Sequence, residues 1–161
     1  MLHMELSKII ITETSEEQVI VLKEVEGARA FPIVIGIWEA LSIDRNIKEK
    51  KSPRPMTHDL IDSVIKKLDA KLDRIIINDL KDRTFYATLV LRMNGKKVEV
   101  DSRPSDAIAL AVLSKAPIYV EEKVIKNLST QAQQAAAAPE FDPESESQKE
   151  EPDEDEGSDF V

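Results

Sequence analysis

The chain reads as an α+β protein, a single compact domain in which a mixed, largely antiparallel sheet is packed by three to four helices. Three observations predict it. Apolar and polar residues alternate near the N-terminus and on both sides of Asn94-Gly95, the period of half-buried strands. Apolar residues recur at helical spacing over residues 37–48 and 57–71. The run Ala107-Ile108-Ala109-Leu110-Ala111-Val112-Leu113 is apolar all round, which suits a central, buried helix.

Taken in order, Leu6 to Glu13 and Gln18 to Val25 read as a hairpin joined by the polar turn Thr14-Ser15-Glu16-Glu17, preceded by a frayed end that holds His3. Ala30 to Ile35 is continuously apolar, so a strand buried on both faces is expected, ending at Gly36. Ile37 to Lys48 follows as a helix with Glu39 in its first turn, where the helix dipole favours a carboxylate. A second helix, Thr57 to Lys71, carries Leu60, Ile61, Val64, Ile65 and Leu68 as a stripe expected to cover the sheet. Arg74 to Asn78 reads as a strand and Asp79-Leu80-Lys81-Asp82 as a turn.

Asn94-Gly95 is a strong hairpin signal, because both residues tolerate the positive φ of a type I′ turn. It sets a register of Met93 with Lys96, Leu91 with Val98 and Leu89 with Val100 on a core side, and Val90 with Glu99, Thr88 with Asp101 and Tyr86 with Arg103 on a polar side. Ser105 reads as the N-cap of the apolar helix. Pro117-Ile118-Tyr119-Val120 is a short strand and Glu121 to Leu128 a closing helix. Phe31, Trp38 and Phe85 are expected in the core.

Charge divides the chain in two. Eleven of the 31 Asp and Glu and one of the 22 Lys and Arg lie from Ser129 onward, leaving 21 cations against 20 anions in residues 1–128. The net charge of −9 therefore describes the tail, 129–161, and not the domain, 4–128. The tail, with Pro139, Pro143 and Pro152 among acids and alanines, cannot bury enough surface to offset its ordering entropy, so disorder is expected; its charge suits a basic partner. There are no cysteines, which removes disulfides and thiolate chemistry. No apolar run approaches the roughly 20 residues of a membrane span, and Met1-Leu2-His3-Met4-Glu5 has no signal-peptide pattern. A cytoplasmic protein with no membrane partner is the expectation.

Two helix entrances carry the polar chemistry. Asp101-Ser102-Arg103-Pro104-Ser105-Asp106 brings free backbone N–H groups, an arginine and two carboxylates together, a set that suits a phosphate or carboxylate. Pro53-Arg54-Pro55-Met56-Thr57-His58-Asp59-Leu60 repeats the theme, with Thr57 as the expected N-cap. His58 there supplies an imidazole, a group able to gain and lose a proton, beside a carboxylate, as an acid/base group or metal ligand does.

Five ordered blocks carry a family resemblance: Phe31-Pro32-Ile33-Val34-Ile35-Gly36 with Glu39-Ala40, the Pro53-to-Leu60 run, Phe85-Tyr86-Ala87, the Asp101-to-Ala111 run, and Pro117-Ile118-Tyr119-Val120. Over residues 4 to 128 the chain resembles the bifunctional nuclease family. One departure is the loop Asn46 to Ser52, which lacks a glycine before Pro53-Arg54-Pro55. The resemblance implies a compact α+β domain, usually self-associating, and an ability of some members to degrade DNA and RNA.

On that expectation the chain is a nuclease with little sequence specificity, contacting nucleic acid through its backbone. Arg54, Arg103, Ser105 and Tyr86 would bind substrate, and His58, Asp59, Asp101, Asp106 and Glu39 would carry the catalysis. Asp101, Asp106 and Glu39 are the carboxylates that would hold Mg²⁺ or Mn²⁺, although no ligand spacing here is distinctive. Two other classes compete. A non-catalytic oligomeric module would use the same cluster to bind an anionic ligand, a nucleotide or a protein partner. A structural assembly protein would use it as ion pairs between subunits.

Overall fold

A computed structural model describes the chain from residue 1 to residue 136, with side chains described through residue 130. Its strands are β1 (Leu2–Ile10), β2 (Glu17–Glu24), β3 (Ala30–Gly36), β4 (Ala70–Lys81), β5 (Thr84–Met93), β6 (Lys96–Ser102) and β7 (Ile118–Val120). The helices are α1 (Ile37–Ile47), α2 (Thr57–Lys67), α3 (Pro104–Ser114) and α4 (Glu122–Ala136). The strands form one sheet in the order β3-β2-β1-β7-β4-β5-β6. Every neighbouring pair is antiparallel except β4 and β7, so the sheet is mixed and largely antiparallel, as the sequence predicts. None of the described helices is long and apolar enough to cross a membrane.

The β5–β6 register follows from Asn94 and Gly95, whose φ angles of 49° and 73° belong to a type I′ turn. Met93 faces Lys96, Leu91 faces Val98, Leu89 faces Val100, Val90 faces Glu99 and Thr88 faces Asp101. The expected sides hold less well. Val90 is fully buried, whereas Val100 is 41% exposed on the edge strand. Pairing stops at Ala87 with Ser102, because Arg103 turns away as the N-cap of α3; Tyr86 faces Asp79 of β4 and lies under the Lys81 ammonium at 5.8 Å.

Several boundaries differ for local reasons. β1 begins at Leu2, where His3 pairs with Tyr119 of β7 and stacks on its ring at 5.2 Å, so the N-terminus is tied into the sheet and not frayed. Gln18, fully buried, closes the β1–β2 loop: its amide oxygen accepts from the Thr12 N–H at 2.6 Å and its amide nitrogen donates to the Thr12 and Ser15 carbonyls. β3 is an edge strand with one wet face, not a doubly buried one. Phe31, Ile33 and Ile35 are buried while Val34 is exposed. β4 continues through the expected turn to Lys81, and the reversal is made by Asp82 and Arg83, both at positive φ.

α3 is the central helix, with Ala107 through Ala111 buried against β4 and β5 and between α1 and α2. Pro104 takes its first position, since its missing N–H has no helical partner there; this moves the N-cap from Ser105 to Arg103. Met56, not Thr57, likewise caps α2. α4 packs on β4 and runs past Leu128 to Ala136, so the expected tail boundary falls inside a helix; the rest of the tail lies outside the described residues.

α2 corrects the sequence reading most. It ends at Lys67, with Asp69 in the left-handed region before β4, and its apolar stripe faces outward: Leu60, Val64 and Leu68 are 56%, 48% and 62% exposed. The inward side holds His58, Asp62 and Ile65. Polar side chains sit inside because each finds a partner there. Asp62 accepts from Ser114 of α3 at 3.1 Å and from Lys66, and His58 lies between α1 and α3.

Candidate active site around His58

α3 packs against both α1 and α2, and polar groups from all three helices join in a continuous chain of contacts: Glu39 and Ser42 of α1, His58 of α2, and Arg103 and Asp106 at the entrance of α3. Asp106 stands in the first turn of α3 beyond Pro104, one turn from the Arg103 side chain that folds back on it. The Arg103 guanidinium donates to Asp106 through Nε at 2.7 Å and Nη2 at 3.0 Å. The same Nη2 reaches Glu39 Oε1 at 2.9 Å, which ties the first turn of α1 to the entrance of α3. Gly36 makes room for this: a Cβ there would run into the Glu39 carboxylate.

His58 completes the cluster. Its Nε2 is 3.1 Å from Asp106 Oδ1 and its Nδ1 is 2.9 Å from Ser42 Oγ. An ionised carboxylate can only accept, so the proton sits on Nε2 and donates to Asp106. Nδ1 then carries the lone pair, and the Ser42 hydroxyl donates to it. The imidazole is nearly buried and fixed in tautomer and orientation from both sides, a Ser–His–Asp order in which the two ring nitrogens have defined roles.

Burial pushes the Asp106 carboxyl up, and the hydrogen bonds from Arg103 and His58 more than offset it, so its pKa lies below the ordinary aspartate value. The Asp106 hydrogen bond raises the Arg103 guanidinium in turn. Asp59, at the third position of α2, belongs to a neighbouring pair. It accepts from Arg45 Nη2 at 3.0 Å to both oxygens and from the Met56 N–H at 2.9 Å. Burial raises it and these donors lower it to a net depression.

The cluster lines a cavity of about 360 Å³, to which Trp38, Leu41 and Met56 add apolar surface. Trp38 is 78% exposed, against the expectation that it lies in the core; Phe31 is in the core, and Phe85, half-buried, packs on it with ring centroids 6.0 Å apart. A groove of about 290 Å³ on the far side of Arg103 shares Glu39 and adds Arg83 and Ser105. A larger groove of about 660 Å³ lies beyond the Arg45–Asp59 pair, lined by Lys50, Lys51 and Lys115. It is cationic but has no acid/base group comparable to His58.

Of the sequence candidates, Glu39, His58, Arg103 and Asp106 meet in one place, with Asp59 one pair away and Ser105 buried behind Arg103. Asp101 is exposed on β6 and lines none of these cavities, and its side chain makes no hydrogen bond or ion pair among the described residues. Tyr86 lies with Lys81, and Arg54 is exposed in the loop before α2. Ser42, Arg45 and Trp38 had not been singled out. Ser42 follows Glu39 by three residues, so helical spacing alone placed it on the same face.

The expected Mg²⁺ or Mn²⁺ set is not assembled. No group of three or more His, Asp or Glu is placed to hold a cation among the described residues, and Glu39 and Asp106 are already bridged by Arg103. No step can be derived through a metal from these donors.

Comparison with known proteins points in one direction. The family model described as bifunctional nuclease domain matches residues 20–133. An uncharacterised protein of Mycobacterium tuberculosis is 40% identical over 117 residues, which cover 73% of this chain and 70% of that protein. Bifunctional nuclease 1 of Oryza sativa subsp. japonica is 23% identical over 121 residues, and bifunctional nuclease 2 is 28% identical over 118. These cover 73% and 71% of this chain but only 37% and 36% of the rice proteins.

Proposed function

The chain belongs to the bifunctional nuclease domain family, and from that premise we propose that it hydrolyses phosphodiester bonds of DNA and RNA in the cavity beside His58. The observation that carries the reading is the imidazole held between Asp106 and Ser42 next to the Arg103 guanidinium. In this reading His58 is the general base. Nδ1 takes the Ser42 hydroxyl proton while Ser42 takes one from the attacking water; the new P–O bond forms as the leaving P–O bond breaks, and the leaving oxygen takes up a proton from solvent while the imidazolium returns its own to solvent. Asp106 holds the imidazole and stabilises the imidazolium that results. Arg103 carries the charge on the non-bridging oxygens, helped by the N–H groups that open α3.

Lys50, Lys51 and Lys115 give the rest of a strand a cationic path without reading sequence, so cleavage should weaken as salt rises. Self-association belongs to the same proposal, with the outward apolar face of α2 as its surface.

A second reading has its own support. Arg103 is already engaged by Glu39 and Asp106, as in a cavity that binds an anion without cleaving it. Cleavage of single-stranded DNA and RNA by purified protein, with Mg²⁺, Mn²⁺ or EDTA, decides between them when run beside folded His58→Ala. Activity abolished in the variant supports hydrolysis at His58. Equal activity in both proteins would remove the site, and an inactive wild type that still binds oligonucleotide would leave the binding reading.

A further inference from the structure

We infer that the cavity beside His58 takes the unpaired base of a single-stranded nucleic acid, with the Trp38 indole as its stacking platform; this rests on the hydrolytic reading and narrows its substrate. Trp38 is the chain's single tryptophan and lies at the start of α1 with most of its surface open, where burial would be expected of so large an apolar ring. It does not stand alone on the surface. With Leu41 and Met56 it lines a cavity that His58, Arg103 and Asp106 also line. Apolar side chains together with a few convergent polar groups are the usual make-up of a small-ligand site, and about 360 Å³ lies at the small end of such sites, suited to one nucleotide.

The two kinds of lining group match the two halves of a nucleotide. A base offers a flat π face to the indole, and its phosphate reaches the Arg103 side. The adjoining groove, which runs along the start of α3, adds Arg83 of the β4–β5 turn, which makes no ion pair among the described residues; the next phosphate has a cation waiting there. Bases inside a duplex are stacked on one another and present only their edges, so a ring in this position can meet a base face only in single strands, loops or frayed ends.

The remaining apolar stripe of α2, Leu60, Ile61, Val64 and Leu68, does not line the cavity and is a separate surface.

Trp38 is its own reporter. Its fluorescence is titrated, in EDTA in the cold, with a five-residue oligothymidylate and with a blunt duplex, while a gel confirms that the oligonucleotides stay intact. Saturable quenching by the single strand and not by the duplex is expected, with affinity roughly ten- to a hundredfold weaker in Trp38→Ala and largely kept in Trp38→Phe. Unchanged emission and equal affinity in Trp38→Ala, with the single strand bound as judged by anisotropy, would overturn the inference. So would a Trp38→Ala protein that binds normally but falls from oligomer to monomer in light scattering, since the indole would then belong to a subunit contact. Quenching without cleavage under any condition would remove hydrolysis and keep the base site. Cleavage with neither quenching nor loss in Trp38→Ala would do the reverse, and absence of both binding and cleavage would remove both.

Discussion

Asp106→Asn tests the centre of the cluster, because it keeps the side chain's shape and removes only its charge. Asp106 receives two hydrogen bonds from Arg103 and one from His58 while its own side chain is 26% exposed. Hydrogen bonds to a charged group contribute about 1.5–3 kcal/mol when well shielded. The Arg103 side chain is 66% exposed, so solvent screening pulls its share toward the ~0–1 kcal/mol of surface pairs. A net loss of about 1–2 kcal/mol at pH 7 follows, read in circular dichroism as a Tm lower by roughly 5 °C.

The pH dependence fixes the cause. The Asp106 pKa is depressed in the folded protein, so its contribution is fully present above the ordinary aspartate value of about 3.9 and is lost as pH falls through the lower folded value. The gap in Tm between wild type and Asp106→Asn should therefore be widest at pH 5–7 and close below about pH 4. Cleavage should fall by roughly 10²–10⁴-fold at pH 7, as the imidazole loses the group that orients it. A gap of equal size at pH 3 and pH 7 would refute the electrostatic account, and full cleavage by a folded variant would refute the role given to Asp106.

Ile77→Ala, at a fully buried position of β4, should cost about 2–5 kcal/mol in urea unfolding, with cleavage by the remaining folded protein unchanged. Leu60→Lys with Val64→Lys should alter monomer stability by less than about 1 kcal/mol, because both side chains face water, yet lower the mass seen by light scattering. Asp101→Asn, outside the cavity and without partners among the described residues, should cleave at the wild-type rate.

What the sequence shows of this protein follows how local the cause is. The β5–β6 register was legible because Asn94 and Gly95 can take positive φ cheaply and every pair outward is then determined. The true turn between β4 and β5 was not, because Asp82 and Arg83 take the same geometry without a glycine to mark it. α2 shows the limit of patterning. Its apolar stripe is real, but which face turns inward was decided by partners elsewhere: Ser42 on α1, and Asp106 and Ser114 on α3. His58 and Asp106 each stood out by type and place, whereas their meeting across 48 residues needed the fold. Ser42 carried no signal beyond its spacing from Glu39, and Trp38 misled because large aromatic rings are usually core.

β7 is three residues long, and it alone joins β1 on one side to β4 on the other. Without Ile118 to Val120 the sheet would be two three-stranded ribbons, β3-β2-β1 and β4-β5-β6, whose β1 and β4 edges carry unpaired main-chain donors and acceptors. The seam is closed last, from near the end of the domain, and a nascent chain stalled before Ile118 presents two adhesive edges in place of one finished sheet. A chain that stopped before Ile118 would keep the packing of α1 on α3, which also joins the two halves, but would leave the β1 and β4 edges open to pair with another chain.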